Sequence, residues 1–228
     1  MSLQSRIAPS GTIRFAINIG NSVLTRVDPK SGQVGGITVN LARDIARELD
    51  LPYTLEIFNS ARAVVETASQ DAWDFAFVAR DPKRSESITF SNPYFLIEGS
   101  YLVRKDSPIN SNKEVDQTGV TVAVGKGAAY DLYLSRNLKN AKIVRTVGSK
   151  PVDEMLMNNT IDVAAGIRPA MAKYVTRNPA LRLLSEPFMF IEQAIGTPVQ
   201  NQDGARFIET YLKEAHSSGR IEKLCKTP

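Results

Sequence analysis

The chain has 228 residues, enough for one large domain or two small ones, and its 43% hydrophobic and 23% charged residues are typical of a folded globular protein. No stretch approaches the roughly 18 apolar residues that a membrane-spanning helix needs, and a single cysteine, Cys225, excludes an internal disulfide. The net charge of +4 comes from lysines and arginines scattered among acids, which argues against a nucleic-acid-binding surface.

Strands alternating with helices are predicted for the first third of the chain. Residues 12–18 alternate in hydrophobicity, and apolar residues recur at helical spacing over 39–49. The predicted elements are strands over 12–18, 52–58 and 73–79 and helices over 39–49 and 61–69. Residues 73–79 are almost all apolar, as expected of a strand buried on both faces. This order predicts a parallel sheet with right-handed crossovers.

A second α/β unit follows an extended run over 95–104 and a polar loop over 106–117. Its predicted elements are strands over 120–124, 142–146 and 161–165 and helices over 128–138, 152–157 and 169–176. A second extended run, 188–199, precedes helices over 205–215 and after Gly219. We therefore predict two α/β lobes joined by two extended hinge strands, with residues 1–102 and 195–228 in lobe 1 and residues 103–194 in lobe 2. Open α/β sheets bind ligands at the carboxyl ends of their strands, so two such sheets predict a ligand cleft.

Several motifs, in chain order, carry a resemblance to a known family. They are GTIRFA at 11–16, GITVNLA at 36–42, DPKR at 81–84, TFSNPY at 89–94, VAVGKG at 122–127 and DVAA at 162–165. The chain resembles the family 3 solute-binding proteins of bacterial ABC importers, and the segment from DPKR to TFSNPY is the most specific piece. The resemblance implies the two-lobed type II periplasmic-binding fold and a non-enzymatic clamp that closes on an amino acid or another small carboxylate.

The same resemblance implies where the protein works and with what. The expected partner is an ABC permease in the inner membrane, and the expected location is the periplasm. We expect a monomer without cofactor, metal or nucleic acid. Residues 1–5 lack the apolar core of a secretory signal, so the signal of an exported protein is expected to be absent from this chain.

Arg84 is the main candidate ligand-binding residue. In the resembled family the arginine of this segment grips the ligand carboxylate. A guanidinium suits that role because its planar fork of donors meets a carboxylate bidentately and keeps its charge. The alternative from sequence alone is that Lys83 and Arg84 form a solvated basic turn.

The turn before the first helix of lobe 2 supplies the second candidate contact, with Gly127, Ala129 and Tyr130. Backbone N–H groups at a helix N-terminus favour anions. Tyr130 could add a polar hydroxyl. A glycine-containing turn from strand to helix explains the same residues without any ligand.

Four candidates belong to lobe 1: Asn18, Asn21, Phe77 and Ala79. Relatives place polar and aromatic cleft residues at the loop of Asn18 and Asn21, but an Asx turn explains both asparagines equally well. Phe77 and Ala79 end the third strand and are expected to line the cleft, with a core position as the alternative for Phe77.

Arg168 is the candidate that departs from the resembled pattern. Amino-acid binders of the family place an acid a few positions after the motif at 162–165, whereas this chain has Ile167 and Arg168. Ile167 cannot pair with an ammonium group, and Arg168 adds a second cation. These residues favour a dicarboxylate or other organic acid over an amino acid, unless Arg168 simply faces solvent.

Other functions fit the residues less well. A catalytic triad needs a histidine, and the single His216 has no acid beside it in sequence. A cyclohexadienyl-type dehydratase on the same fold would need an acid in the cleft, for which Glu98 and Glu192 are the candidates. An effector domain of a transcription regulator would normally follow a helix-turn-helix, and none precedes this sequence.

Overall fold

The computed structural model describes residues 2–146 and 152–226. Elements of the first half are α1 (Leu3–Ile7), β1 (Ile13–Asn18), β2 (Arg26–Val27), β3 (Val34–Gly35), α2 (Ile37–Glu48), β4 (Tyr53–Phe58), α3 (Ala61–Glu66), β5 (Phe75–Ala79) and β6 (Ile88–Arg104). Elements of the second half are β7 (Thr121–Gly125), α4 (Ala129–Asn137), β8 (Lys142–Thr146), α5 (Val152–Met157), β9 (Val163–Ile167), α6 (Arg168–Arg177), β10 (Leu181–Leu183), β11 (Met189–Pro198), α7 (Gln202–Ser217) and α8 (Arg220–Lys226).

The chain divides into two compact units. Unit 1 comprises Met1–Phe95 and Glu192–Pro228, and unit 2 comprises Leu96–Ile191. The chain leaves unit 1 within β6 and returns to it within β11. The lobe boundaries expected from the sequence, at 102 and 194, fall within the same two strands.

Unit 1 contains a sheet in the order β4-β1-β5-β11. The strands β4, β1 and β5 are parallel, as predicted, and β11 runs antiparallel to β5. All five residues of β5 are buried, which confirms the prediction of a strand covered on both faces. Phe15 and Phe75 stack with ring centroids 5.9 Å apart, and Phe207 of α7 lies 6.1 Å from Phe75.

The start of α2 depends on one glycine. Gly36 is the residue before the helix and has a φ of 102°, a conformation that side chains with a Cβ rarely adopt. A Cβ at this position would lie 2.7 Å from the carbonyl oxygen of Leu24. The helix then buries Leu41, Ala42, Ile45 and Ala46, the residues that define its predicted apolar face.

Unit 2 contains a similar sheet, with the strand order β6-β9-β7-β8, and β10 pairs with β6. The strands β9, β7 and β8 are parallel and β6 is antiparallel to β9. Side chains alternate between the two faces of the sheet, so Tyr101 and Val122 belong to one buried cluster and Leu102 and Ala123 to the other. Within the described ranges, no helix has both the length and the apolar character needed to cross a bilayer.

A buried ion pair stabilises the sheet of unit 1. Asp74, at the start of β5, accepts hydrogen bonds from the backbone N–H of Arg14 at 2.8 Å and from its Nη2 at 2.8 Å. The hydrogen bond to Asp74 raises the pKa of the Arg14 guanidinium. Arg14 also pairs with Asp71 at 2.6 Å, but the Asp71 side chain is 90% exposed and that of Asp74 only 5%.

We expect Asp74→Asn to lower the free energy of unfolding by about 2 kcal/mol, because it removes the charge of a buried carboxylate that pairs with Arg14. The matched control is Asp71→Asn, which removes an exposed partner of the same arginine. Asparagine also tolerates the φ of 52° at that position. We expect the control to change stability by less than about 0.5 kcal/mol. Urea unfolding followed by circular dichroism measures both, and equal losses would contradict the assignment.

Candidate functional site

Four predicted site residues of unit 1 lie at one edge of its sheet. The strands β1 and β5 are parallel neighbours, with Phe15 opposite Phe75 and Ala16 opposite Ala76. Their carboxyl ends therefore share an edge, where β1 ends at Asn18 and β5 ends at Ala79. Asn21 and Arg84 follow these two ends. The sheet topology thus brings Asn18, Asn21, Ala79 and Arg84 to the edge at which α/β proteins bind ligands.

Arg84 is buried, with only 2% of its surface exposed. It begins a short 3-10 turn, Arg84–Glu86, and its Nη1 donates to the carbonyl oxygen of Ala79 at 2.8 Å. Burial lowers the pKa of the guanidinium to about 10, and the negative charge of Asp81 acts in the opposite direction. The group therefore remains charged at neutral pH. The structure excludes the solvated basic turn considered from the sequence.

The two asparagines make local contacts. Asn18 Oδ1 accepts from the backbone N–H of Gly20 at 3.0 Å, and Asn21 Oδ1 accepts from that of Val23 at 3.2 Å. These are the hydrogen bonds of Asx turns. Each asparagine keeps its amide nitrogen as a donor, so both shape the loop after β1 and a ligand contact stays a prediction.

Phe77 lies in the aromatic core of unit 1. Its ring stacks near that of Phe15, with centroids 6.0 Å apart, and meets the edge of Tyr94 at 6.2 Å. Phe77 is almost completely buried. Phe77 therefore lies in the core, which was the alternative to a position lining the cleft.

In unit 2, the parallel neighbours β7 and β9 end at Gly125 and Ile167. Their shared edge collects Gly127, Ala129 and Tyr130 after β7, and Arg168 after β9. The backbone N–H of Gly127, which has a φ of 75°, donates to Asp131 Oδ2 at 2.8 Å. The first backbone N–H groups of a helix have no partner within the helix, so those of Ala129 and Tyr130 are the donors that α4 presents at this edge.

Tyr130 is held against the end of β7. A Cβ added at Gly125 would lie 2.8 Å from the Tyr130 hydroxyl oxygen, so a glycine is needed there for the ring to approach. Burial raises the pKa of this phenol, while a hydrogen bond from the backbone of Gly125 acts in the opposite direction. The hydroxyl is therefore neutral and positioned by the strand.

The sequence did not indicate the structural role of Asp131 in this turn. Its buried carboxylate accepts from Gly127, from Ser135 Oγ at 3.2 Å and from Arg145 Nε at 3.0 Å. These three partners come from the turn, from α4 and from β8. Asp131 thus joins the turn at Gly127 to the elements behind it.

Arg168 begins α6 and contacts three groups of its own unit. Its Nη1 donates to Ser100 Oγ at 3.2 Å and to the carbonyl oxygen of Ser185 at 3.1 Å. Its Nε lies 3.3 Å from Glu98 Oε2. The acid beside Arg168 therefore belongs to β6. No local sequence signal places Glu98 beside Arg168, because their approach depends on the pairing of β6 with β9.

Within residues 2–146 and 152–226, no group of three or more histidine, cysteine, aspartate or glutamate side chains is arranged to hold a metal ion. The polar groups at the two sheet edges include arginines, asparagines, backbone amides, a tyrosine, an aspartate and a glutamate. Such groups bind small organic ions through hydrogen bonds and charge.

A family model described as bacterial extracellular solute-binding proteins, family 3, matches residues 13–227 of the chain. The chain belongs to this family. The resemblance seen in the sequence motifs is confirmed, and the match covers both units.

Two curated relatives and one solved structure illustrate the likeness. The family 3 chain is 22% identical to the arginine-binding periplasmic protein of Mannheimia haemolytica over 204 residues, which cover 86% of this chain and 82% of the relative. It is 23% identical to the cyclohexadienyl dehydratase of Pseudomonas aeruginosa over 225 residues, covering 96% and 82%. An amino acid ABC transporter substrate-binding protein of Streptococcus pneumoniae bound to L-arginine matches with a TM-score of 0.77 at 21% identity, covering 96% of this chain and 95% of that one. The two-lobed type II periplasmic-binding fold predicted from the sequence is thereby confirmed.

We expect Asp131→Asn in this solute-binding protein to lower the free energy of unfolding by about 2 kcal/mol, because the buried partner of Arg145 loses its charge. Asp106→Asn is the control, since Asp106 is an exposed partner of Arg104 in the same unit. We expect it to change stability by less than about 0.5 kcal/mol. Thermal unfolding of both variants tests this, and an unaltered midpoint in Asp131→Asn would show that the carboxylate does not stabilise the turn.

Proposed function

We propose that this chain is the solute-binding component of a bacterial ABC importer and that it binds a small carboxylate-bearing ligand, an amino acid or an organic acid. The observation that carries the proposal is the buried guanidinium of Arg84 at the carboxyl edge of the unit 1 sheet, in a chain matched by the family over residues 13–227. The proposal makes Arg84 the residue that binds the ligand carboxylate.

The surroundings of Arg84 support this role. Burying a cation is unfavourable unless partners offset the lost hydration. The lowered pKa of Arg84 reflects that cost. A ligand carboxylate would add an opposite charge and accept two hydrogen bonds in a geometry that suits the guanidinium. Such a group binds an anion more strongly than an exposed arginine does, because water competes less.

The edge of unit 2 offers complementary donors. In this proposal the N–H groups at the start of α4, the Tyr130 hydroxyl and the charged groups near Arg168 contact the remainder of the ligand. A ligand that stabilises one conformation of the protein would give a transporter a form that it can recognise. We propose an inner-membrane ABC permease as that partner and the periplasm as the location.

We expect Arg84→Ala to weaken ligand binding by about 100-fold or more, because the ligand carboxylate loses its main charged partner. The measurement has two steps. A thermal-shift screen of L-amino acids and organic acids identifies a ligand of the unaltered protein, and calorimetry then gives the affinity of each variant.

Two matched variants accompany this test. Lys83→Ala removes the same charge from the exposed neighbouring residue and should leave affinity within about twofold. Arg84→Lys keeps the charge but loses the planar fork and should weaken binding by about tenfold. If Arg84→Ala binds as tightly as the unaltered protein, the proposed role of Arg84 is wrong.

A second candidate function is dehydratase activity, because one relative is a cyclohexadienyl dehydratase. The acids considered for it are Glu98 and Glu192. Glu192 lies 3.8 Å from Arg80, and Glu98 lies beside Arg168. Both side chains are partly exposed, whereas a general acid is typically enclosed by apolar groups. These surroundings favour binding without catalysis.

We therefore expect no turnover of prephenate by the unaltered protein. Incubation with prephenate, followed by ultraviolet detection of an aromatic product, tests this. The control is the same reaction without protein, because prephenate also decomposes slowly by itself. If product forms faster than in the reaction without protein, and if Glu192→Gln or Glu98→Gln abolishes this excess, the protein is a dehydratase.

A further inference from the structure

The outermost strand of the unit 1 sheet, β4, pairs with a neighbour on one side. It stands at the end of the order β4-β1-β5-β11, and all six of its residues pair in parallel with β1. At the two ends of this ladder, the backbone N–H groups of Ile13 and Ile19 donate to the carbonyl oxygens of Pro52 and Phe58 at 2.9 Å. Alternate residues of a parallel strand point their backbone groups toward the same neighbour. The residues that point away from β1 are Tyr53, Leu55 and Ile57. In the described ranges, the backbone groups of these three make no hydrogen bond.

The sequence of β4 lacks the features that usually protect an edge strand. Residues 53–58 contain no lysine, arginine or proline, and Glu56 is their one charged residue. Ile57 exposes 45% of its surface. The outermost strand of unit 2, β8, instead carries Lys142 and Arg145. Because such charges normally keep sheet edges from pairing with other strands, the edge of β4 is the one suited to receive a further strand.

A groove lies on the surface beside the same edge. Its volume is about 420 Å³, and its lining includes Ala46 of α2 and the run of Leu51, Pro52 and Tyr53 that leads into β4. Side chains two residues apart in a strand point to the same face, so Ile57 lies on the face that Tyr53 shares with the groove. An exposed apolar side chain and an apolar groove thus occupy one face at one edge.

A second copy of β4 fits this edge in one antiparallel register. With a two-fold axis through Leu55, Tyr53 of each copy lies opposite Ile57 of the other, and Thr54 lies opposite Glu56. The three outward-pointing residues then all belong to hydrogen-bonded pairs, each of which exchanges two backbone hydrogen bonds. An axis through Glu56 would instead place two glutamates directly opposite each other, which is unfavourable.

We propose that β4 is a self-association surface, through which two copies of this chain extend the unit 1 sheet across a two-fold axis. Ile57 of each copy covers the groove beside Tyr53 of the other, and such aromatic and β-branched pairs stabilise a sheet. The same residues of both copies form the interface, as two-fold symmetry requires. The proposal involves neither the ligand nor Arg84, and it departs from the monomer expected from the resemblance.

Sedimentation velocity tests the association in the absence of ligand. We expect a monomer that converts to a dimer between about 10 µM and about 1 mM protein, because a pair of short strands makes a small interface. Ile57→Lys should weaken the dimer by about tenfold or more, since it brings a positive charge to a groove that Arg43 and Arg47 also line. Val27→Lys is the matched control, because Val27 is 41% exposed on another strand of unit 1. It should leave the dissociation constant within about twofold.

Cysteine cross-linking tests the register, in a Cys225→Ser background. Leu55→Cys places the two thiols opposite each other on the axis, where the Cα atoms of a hydrogen-bonded pair are about 5.5 Å apart. A disulfide spans that distance. Ile57→Cys is the control, because its two copies lie four residues apart along the strands, about 13 Å, which is too far for a disulfide. Oxidation should give a covalent dimer of Leu55→Cys at least about tenfold faster than one of Ile57→Cys.

Each outcome decides the proposal. Monomer at every concentration, with no covalent dimer of Leu55→Cys, would overturn it and leave the edge to a different partner. A dimer that Ile57→Lys does not weaken, or that cross-links equally well through Ile57→Cys, would also overturn it, because the contact would then lie elsewhere or have another register. Concentration-dependent dimers that Ile57→Lys disrupts and Leu55→Cys traps would establish it.

Discussion

The burial of one guanidinium is the constraint around which the candidate site of unit 1 is organised. Arg84 retains 2% exposure, so its hydration must be replaced by protein groups or by a ligand. The Ala79 carbonyl and the charge of Asp81 supply part of that replacement. Both come from the end of β5 or the turn that follows it. A completely buried strand thus provides the fixed base for a charged side chain.

Arg168, the candidate cation of unit 2, is positioned by another means. It lies partly in solvent and is fixed by two hydrogen bonds and one ion pair from its own unit. Its charge is therefore largely compensated before any ligand arrives. The environments of the two arginines therefore differ. Arg84 is almost completely buried, whereas the side chain of Arg168 is 34% exposed.

Local patterns predicted most of the fold because they depend on residues close in sequence. The apolar spacing of α2 and the continuous apolar run of β5 were sufficient for those elements. In contrast, α3 ends at Glu66 and not at residue 69, since the Thr67 hydroxyl donates to the carbonyls of Ala63 and Val64 beside the last turn. The motif at 81–84 made Arg84 a candidate, and its role in ligand binding stays a prediction. The contact between Glu98 and Arg168 was not predictable, because it arises from the register of two strands distant in sequence.

The division of unit 1 into two chain segments has a consequence for biosynthesis. Unit 2 is continuous, so all of its strands and helices have been made when Ile191 leaves the ribosome. The sheet of unit 1 is still incomplete at that point. It lacks β11, whose residues pair with β5, and it lacks α7, whose Tyr211 hydroxyl donates to Asp44 at 2.8 Å. The unit that carries Arg84 is therefore complete only when the two segments of the chain that form it come together.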